Sequence, residues 1–180
     1  GRLSTSDGLA YGWMPGDESV YFLSERDGFF HLYVQDLEAG EPRQLTSGRF
    51  ELTDLHMSKD ERRWTFISNE VHPGEHQLYS MPLEGGPRTR LTEKPGWHDY
   101  ELSPDENYVA LLYSSPTEPA ELFVMPMQQS GAPMTQLTRS TTEEFQNYPW
   151  RPSEIVTFDD GEGHTIYADV WTPENPHPDR

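Results

Sequence analysis

The sequence predicts an all-β chain of about three four-stranded repeats, and three observations carry that prediction. The dipeptide Leu-Thr recurs at Leu45-Thr46, Leu91-Thr92 and Leu137-Thr138, an interval of 46 residues taken twice. Ahead of each lies an apolar and aromatic strand pattern, Leu32-Tyr33, Leu78-Tyr79 and Leu122-Phe123, at spacings of 46 and 44. Hydrophobic residues make up only 33% of the chain while aromatics reach 12%, a mix that suits many short, half-buried strands better than a large helical core.

Each repeat divides into four strands. The first are Leu9 to Met14, Leu52 to Met57 and Trp97 to Leu102. Tight turns follow at Pro15-Gly16-Asp17-Glu18, Ser58-Lys59-Asp60-Glu61 and Ser103-Pro104-Asp105-Glu106, where proline fixes φ or aspartate bonds nearby backbone. The second strands, Ser19 to Ser24, Arg63 to Ser68 and Tyr108 to Ser114, each end in serine, and the first two alternate apolar with polar residues. Hairpin tips at Asp27-Gly28, Pro73-Gly74 and Pro116 to Pro119 lead into the third strands, His31 to Leu37, Gln77 to Leu83 and Glu121 to Met127. A second hairpin through Ala39-Gly40, Gly85-Gly86 and Ser130-Gly131 returns the chain to the Leu-Thr strand. Four strands in about 45 residues make a β-propeller blade. One such sheet cannot cover both of its faces, so blades must stack on neighbours, and residues 1–140 read as an incomplete propeller.

Past the third Leu-Thr the pattern stops. Residues 141–152, from Thr141 to Pro152 with a second proline at Pro149, read as an irregular connector. Residues 153–180 begin another unit, with strand-like runs Glu154 to Phe158 and Thr165 to Trp171 around the hairpin chemistry of Asp159-Asp160-Gly161-Glu162-Gly163.

Charge narrows the partners. With 13 basic against 31 acidic residues the net charge is -18, a field that repels phosphate backbones, so nucleic acid is not an expected partner. The same excess suits a surface adapted to high salt, where bulk cations screen the self-repulsion. Cysteine is absent, which removes disulfides and thiolate metal sites and leaves periplasm and cytoplasm both open. The longest apolar run is about five residues, Val109 to Tyr113, against the roughly 18 of a membrane span, and no leader pattern is present, so a soluble, untargeted chain with no membrane partner is expected. The opening Gly1-Arg2-Leu3 lacks an initiator Met, which is compatible with a removed leader or preceding domain.

The Ser-Pro-Asp turn, the β-run ending in serine, Leu-Tyr, the Gly-Gly hairpin and Leu-Thr together resemble the TolB-type propeller repeat. That repeat occurs in periplasmic Tol proteins and in the amino-terminal propellers of prolyl oligopeptidase-family serine peptidases, including the dipeptidyl peptidase IV-like and acylaminoacyl peptidase-like branches. The passage from Pro152 through Phe158, Gly161 to Gly163 and Ile166 to Asn175 resembles the entry of that family's α/β-hydrolase domain, departing from it by a Gly-Glu-Gly in place of a plain Asp-Gly. The resemblance implies a serine peptidase acting on short peptides, with the propeller restricting access to a catalytic chamber. Its implied partners are a peptide substrate reached through the rest of the parent, the remaining blades and the hydrolase domain. No serine here stands in the Gly-x-Ser-x-Gly context of a nucleophile elbow, and Arg180 ends the chain before one. No catalytic residue is therefore assigned, the substrate-binding residues are unknown, and neither a metal ligand nor a cofactor is expected. The rival readings are a non-catalytic TolB-like propeller serving as a protein-binding platform, and a carbohydrate- or ligand-binding propeller. Open blade faces predict homo-oligomers of the isolated chain.

Four constellations have a bland alternative. His72-Pro73-Gly74-Glu75-His76 spaces two histidines as on a metal-binding helix, but Pro-Gly favours a solvated hairpin tip. His98-Asp99 near Ser103 lists triad residue types inside one strand, where blade packing is the better reading. Glu143-Glu144 is similar to the paired glutamates of dipeptidyl peptidase IV-like enzymes but sits in the connector rather than in an earlier insertion. Trp13, Trp64, Trp97 and Trp150 read as blade and interface packing, with stacking on substrate reserved for any at a channel mouth.

Overall fold

The computed structural model describes residues 10–38, 40–127 and 130–173. Leu9, Ala39 and the segment from Glu174 to Arg180, which the sequence reading places in a strand, a hairpin and the entry motif, lie outside the described residues.

Three antiparallel four-stranded sheets follow one another in chain order. The first contains β1 (Tyr11–Trp13), β2 (Ser19–Ser24), β3 (His31–Asp36) and β4 (Arg43–Gln44). The second contains β5 (Leu52–Met57), β6 (Arg63–Ser68), β7 (Gln77–Pro82) and β8 (Thr89–Arg90). The third contains β9 (Trp97–Leu102), β10 (Tyr108–Ser115), β11 (Glu118–Pro126) and β12 (Thr135–Gln136). In each sheet sequential strands are neighbours, so each is a meander, the strand order of a propeller blade. A connector with one short helix, α1 (Glu143–Asn147), leads to a two-stranded ribbon of β13 (Glu154–Asp159) and β14 (Thr165–Val170).

Two details depart from the sequence reading. The third blade's hairpin tip is tighter than expected: Ser115 pairs with Glu118 across Pro116-Thr117, and a register shift after Tyr113 takes Pro119 into β11. The connector is not wholly irregular, because the Thr142 hydroxyl accepts the Phe145 N–H at 3.2 Å and two acidic residues occupy the first helical turn.

The repeated turns close by one scheme. Met14, Ser58 and Ser103 donate their backbone N–H to Ser19, Arg63 and Tyr108 O, each at 2.9 Å. Three residues after Met14, Ser58 and Ser103 the backbone is left-handed, at Asp17 (φ 58°), Glu61 (φ 56°) and Glu106 (φ 55°). In the second and third loops a serine hydroxyl donates to the aspartate two residues on, at 2.6 Å for both Ser58–Asp60 and Ser103–Asp105.

The Leu-Thr repeat also has a physical cause. Thr46, Thr92 and Thr138 each accept, on the hydroxyl oxygen, the N–H of Leu32, Leu78 or Leu122 at 2.9, 2.9 and 2.8 Å. The residue before that leucine then binds the same hydroxyl: His31 at 3.2 Å, Gln77 at 2.6 Å and Glu121 closer still. This clasp pins the outer strand's exit to the third strand of its own blade.

Blades stack through two apolar cores. Leu23, Leu32 and Val34 of the first blade meet Trp64, Phe66 and Met81 of the second, all buried. Ile67 and Leu78 from the opposite face of the second blade meet Tyr100, Val109, Leu111 and Met125 of the third. Opposite parity along β6 and β7 thus feeds two interfaces, which is why the second blade is apolar on both faces. The third blade lacks such a cover among the described residues: Leu91 is 4% exposed, whereas its counterpart Leu137 is 57% exposed.

Candidate functional site

Blade-to-blade contacts are polar at both ends of the strands. At the turn end, the buried Glu106 carboxylate accepts from His56 Nε2 at 2.9 Å and from the Lys59 N–H at 3.1 and 3.2 Å, bracketing a cleft of about 230 Å³. Tyr100 Oη donates to Asp54 O at 2.6 Å, at a bulge in β5, tying the third blade's first strand to the second blade. At the hairpin-tip end, backbone pairing crosses the interface, with His76 N–H donating to Gly96 O at 3.0 Å and His98 N–H to His76 O at 3.1 Å. Gly96 is required there: its φ is 138°, and a Cβ would meet Ser114 O at 2.5 Å.

Gly96 of that crossing also lines a cavity of about 540 Å³, bordered by the 72–75, 94–96 and 115–117 segments and by the C-terminal ribbon. The ribbon reaches it through Ser153, Ile155, Tyr167 and Asp169, and the Tyr167 ring meets the His72 ring edge-on at 5.1 Å. Tyr113 Oη donates to Pro95 O at 2.8 Å and to Glu118 Oε2 at 3.1 Å, while Lys94 Nζ lies 4.1 Å from the Tyr113 ring centroid and 2.8 Å from Glu118. Burial, then the Glu118 charge, pushes the Tyr113 phenol above its ordinary range. The Lys94 ammonium holds Glu118 below the usual carboxylate range. A second cleft of about 360 Å³ lies beside it, between the third blade and the connector, with Phe145 and Trp150 on its far wall.

The sequence-predicted candidates are dispersed. His72 and His76 lie in a turn rather than a helix: His72 Nδ1 accepts the Gly74 N–H at 3.0 Å, and the His76 ring stacks on Trp97 at 3.4 Å. His98 is buried, donating from Nδ1 to His76 O at 2.7 Å, and burial lowers its pKa below the usual imidazole value. Asp99 points to the other face of β9, and the Ser103 hydroxyl is spent on Asp105, so these three do not form a relay. Glu143 and Glu144 are exposed at the start of α1. Trp64 is buried and donates from Nε1 to Leu83 O at 2.9 Å, whereas Trp150 packs on Phe145 and Tyr148 and donates to Phe145 O at 2.9 Å. Trp13 and Trp97 are half exposed, at 54% and 52%. Sequence reasoning did not single out Asp160, Glu162 and His164, whose potential ligand atoms lie within 4.8 Å of one another on the exposed ribbon turn. Their spacing at i, i+2 and i+4 was the available signal.

Stacked meander blades ending in a ribbon define the chain as a segment of a β-propeller protein. The dipeptidyl peptidase IV N-terminal region model matches residues 7–120, and the chain belongs to that family. A probable dipeptidyl-aminopeptidase B of Aspergillus niger is 35% identical over 103 residues, covering 54% of this chain and 11% of that relative. The Emericella nidulans counterpart is 30% identical over 139 residues, covering 66% and 15%. The crystal structure of Porphyromonas gingivalis dipeptidyl peptidase 4 superposes with a TM-score of 0.74 at 23% identity, covering 96% of this chain and 24% of that one, a likeness of fold. The chain thus spans a small part of the relatives it matches. Among the described residues no helix is long and apolar enough to cross a membrane.

Proposed function

We propose that this chain is the propeller segment of a serine peptidase of the dipeptidyl peptidase kind, shaping access to a catalytic domain that lies mostly outside residues 1–180. Family membership is the observation that supports it. The ribbon adds to the reading: Ile155, Phe158, Ile166, Val170 and Trp171 are each at least 40% exposed, apolar surface that a following α/β-hydrolase domain would bury. In this reading residues 1–140 are blades, 141–152 the connector and 153–180 the first hairpin of the catalytic domain. Hydrolysis of the acyl bond would be performed by groups on that domain. The blades would contribute by excluding large substrates, and the remaining blades of the complete protein would cover the open face of β10 and β11.

The test compares the product of the complete gene with the 180-residue chain on dipeptide anilides and on the same dipeptides placed at the head of a folded protein. The proposal expects turnover of the short substrates by the complete product alone, loss of it after a serine-directed fluorophosphonate, and little action on the folded carrier. Absence of turnover by the complete product would favour the non-catalytic binding platform. Equal action on short and folded substrates would remove the gating role.

A further inference from the structure

We propose that the cavity of about 540 Å³ between the second and third blades and the ribbon is a binding site for a guanidinium cation. The inference stands on the cavity itself and holds whether or not the complete gene product is a peptidase.

Glu75 and Asp169 both line the cavity. Each has one oxygen engaged within the chain: Glu75 Oε2 accepts from Gln77 Nε2 at 2.7 Å, and Asp169 Oδ1 accepts from Ser153 Oγ at 2.7 Å. Their second oxygens, Oε1 and Oδ2, accept no hydrogen bond from the described residues. The cation on the wall, Lys94, is already neutralised by Glu118, with Nζ at 3.0 Å from Oε1 and 2.8 Å from Oε2. The cavity is therefore left with two carboxylates in excess, within a chain whose net charge of -18 draws cations toward it.

Shape and surface then choose among cations. A volume of this size matches small organic ligands, which occupy cavities of roughly 300–1,000 Å³, and greatly exceeds a bare metal ion. Among the described residues the set of carboxylates and imidazole with converging ligand atoms is elsewhere, at Asp160, Glu162 and His164. The half-exposed Tyr167 ring lines the cavity, and a planar cation gains by lying over such a face. A guanidinium combines that flat face with a fork of N–H donors that can serve two carboxylates at once, which a compact ammonium cannot do in one plane. Pro73, Pro95, Pro116 and Pro152 sit on four separate stretches of the rim and restrict its backbone, so less ordering entropy is lost on binding.

Calorimetric titration of the 180-residue chain tests this with three probes: acetyl-arginine methylamide, its uncharged isostere acetyl-citrulline methylamide, and agmatine. The proposal expects saturable binding of the arginine probe, at least tenfold weaker binding of the citrulline probe, and at least a fivefold loss in each of Glu75→Gln and Asp169→Asn. Asp169 is exposed, so its variant is expected to keep the parent circular dichroism spectrum and melting temperature, separating a lost ligand contact from a lost fold. Agmatine binding as well as the capped arginine identifies a free small guanidinium as sufficient; tighter binding of the capped form identifies a peptide-borne one. No saturable binding, equal binding of arginine and citrulline, or unchanged binding by both variants would overturn the site.

Discussion

Thr92 donates its hydroxyl proton to Gln77 Oε1 at 2.6 Å while the same oxygen accepts the Leu78 N–H at 2.9 Å, and all three residues are buried. Thr138, itself exposed, makes the equivalent bonds to Leu122 and to Glu121, whose carboxylate also holds the Ser140 N–H and hydroxyl. Leaving buried partners unpaired costs about 1–3 kcal/mol, so Thr92→Val is expected to lower unfolding stability by that much and Thr138→Val by less than about 1 kcal/mol, as read from urea denaturation. The Thr was legible as a repeat because its task recurs at a nearly constant sequence distance, 14 residues from its leucine in two blades and 16 in the third. A second residue-scale prediction concerns Asp105. The Ser103 hydroxyl and then the Asn107 side chain hold its carboxyl down to about 2 from 3.8. Since the folded value is the lower one, this contribution is present above 3.8 and is lost as the pH falls toward about 2. A carbon-13 titration of the Asp105 carboxyl is expected to show that low midpoint, and Ser103→Ala to move it back toward 3.8.

The turn between first and second strands shows how one element can serve different ends. Glu61 and Glu106 both hold left-handed backbone, at φ 56° and 55°, a conformation costing an ordinary residue roughly 1 kcal/mol. Glycine relieves that strain, partly offset by its greater freedom in the unfolded chain, so Glu61→Gly is expected to stabilise by at most about 1 kcal/mol. Glu106 spends its buried carboxylate on His56 and Lys59 of the neighbouring blade, and Glu106→Gly is expected to cost about 1–3 kcal/mol net. Thermal unfolding of the two variants checks the opposite signs. The turn itself was readable from Ser-Lys-Asp-Glu and Ser-Pro-Asp-Glu, because its hydrogen bonds span five residues. The clamp was not, because His56 and Glu106 lie 50 residues apart and neither carries a local mark of the other. The cavity escaped sequence reading for the same reason: its walls come from hairpin tips, a blade-to-blade segment and a ribbon separated by up to about a hundred residues.

At the scale of the molecule, stability should follow the order of the blades, since each apolar core joins only neighbours. The sequence announced this architecture through the 46-residue interval between its Leu-Thr pairs. It could not announce that Leu137 is exposed where its counterpart Leu91 is buried, because cover by a neighbouring blade leaves no local mark on the residue it covers. The repeats are blades stacked on shared cores rather than independent sheets. Hydrogen exchange of the backbone amides, compared between the parent chain and Trp64→Ala, tests this stacking. Trp64 belongs to the core between the first two blades, and truncating a buried tryptophan costs about 3–5 kcal/mol. A shared core predicts faster exchange at Leu23, Leu32 and Val34 of the first blade, across the interface from the substitution, with Val109, Leu111 and Met125 of the third blade retaining their protection. Faster exchange confined to the second blade, with the first blade unchanged, would contradict it.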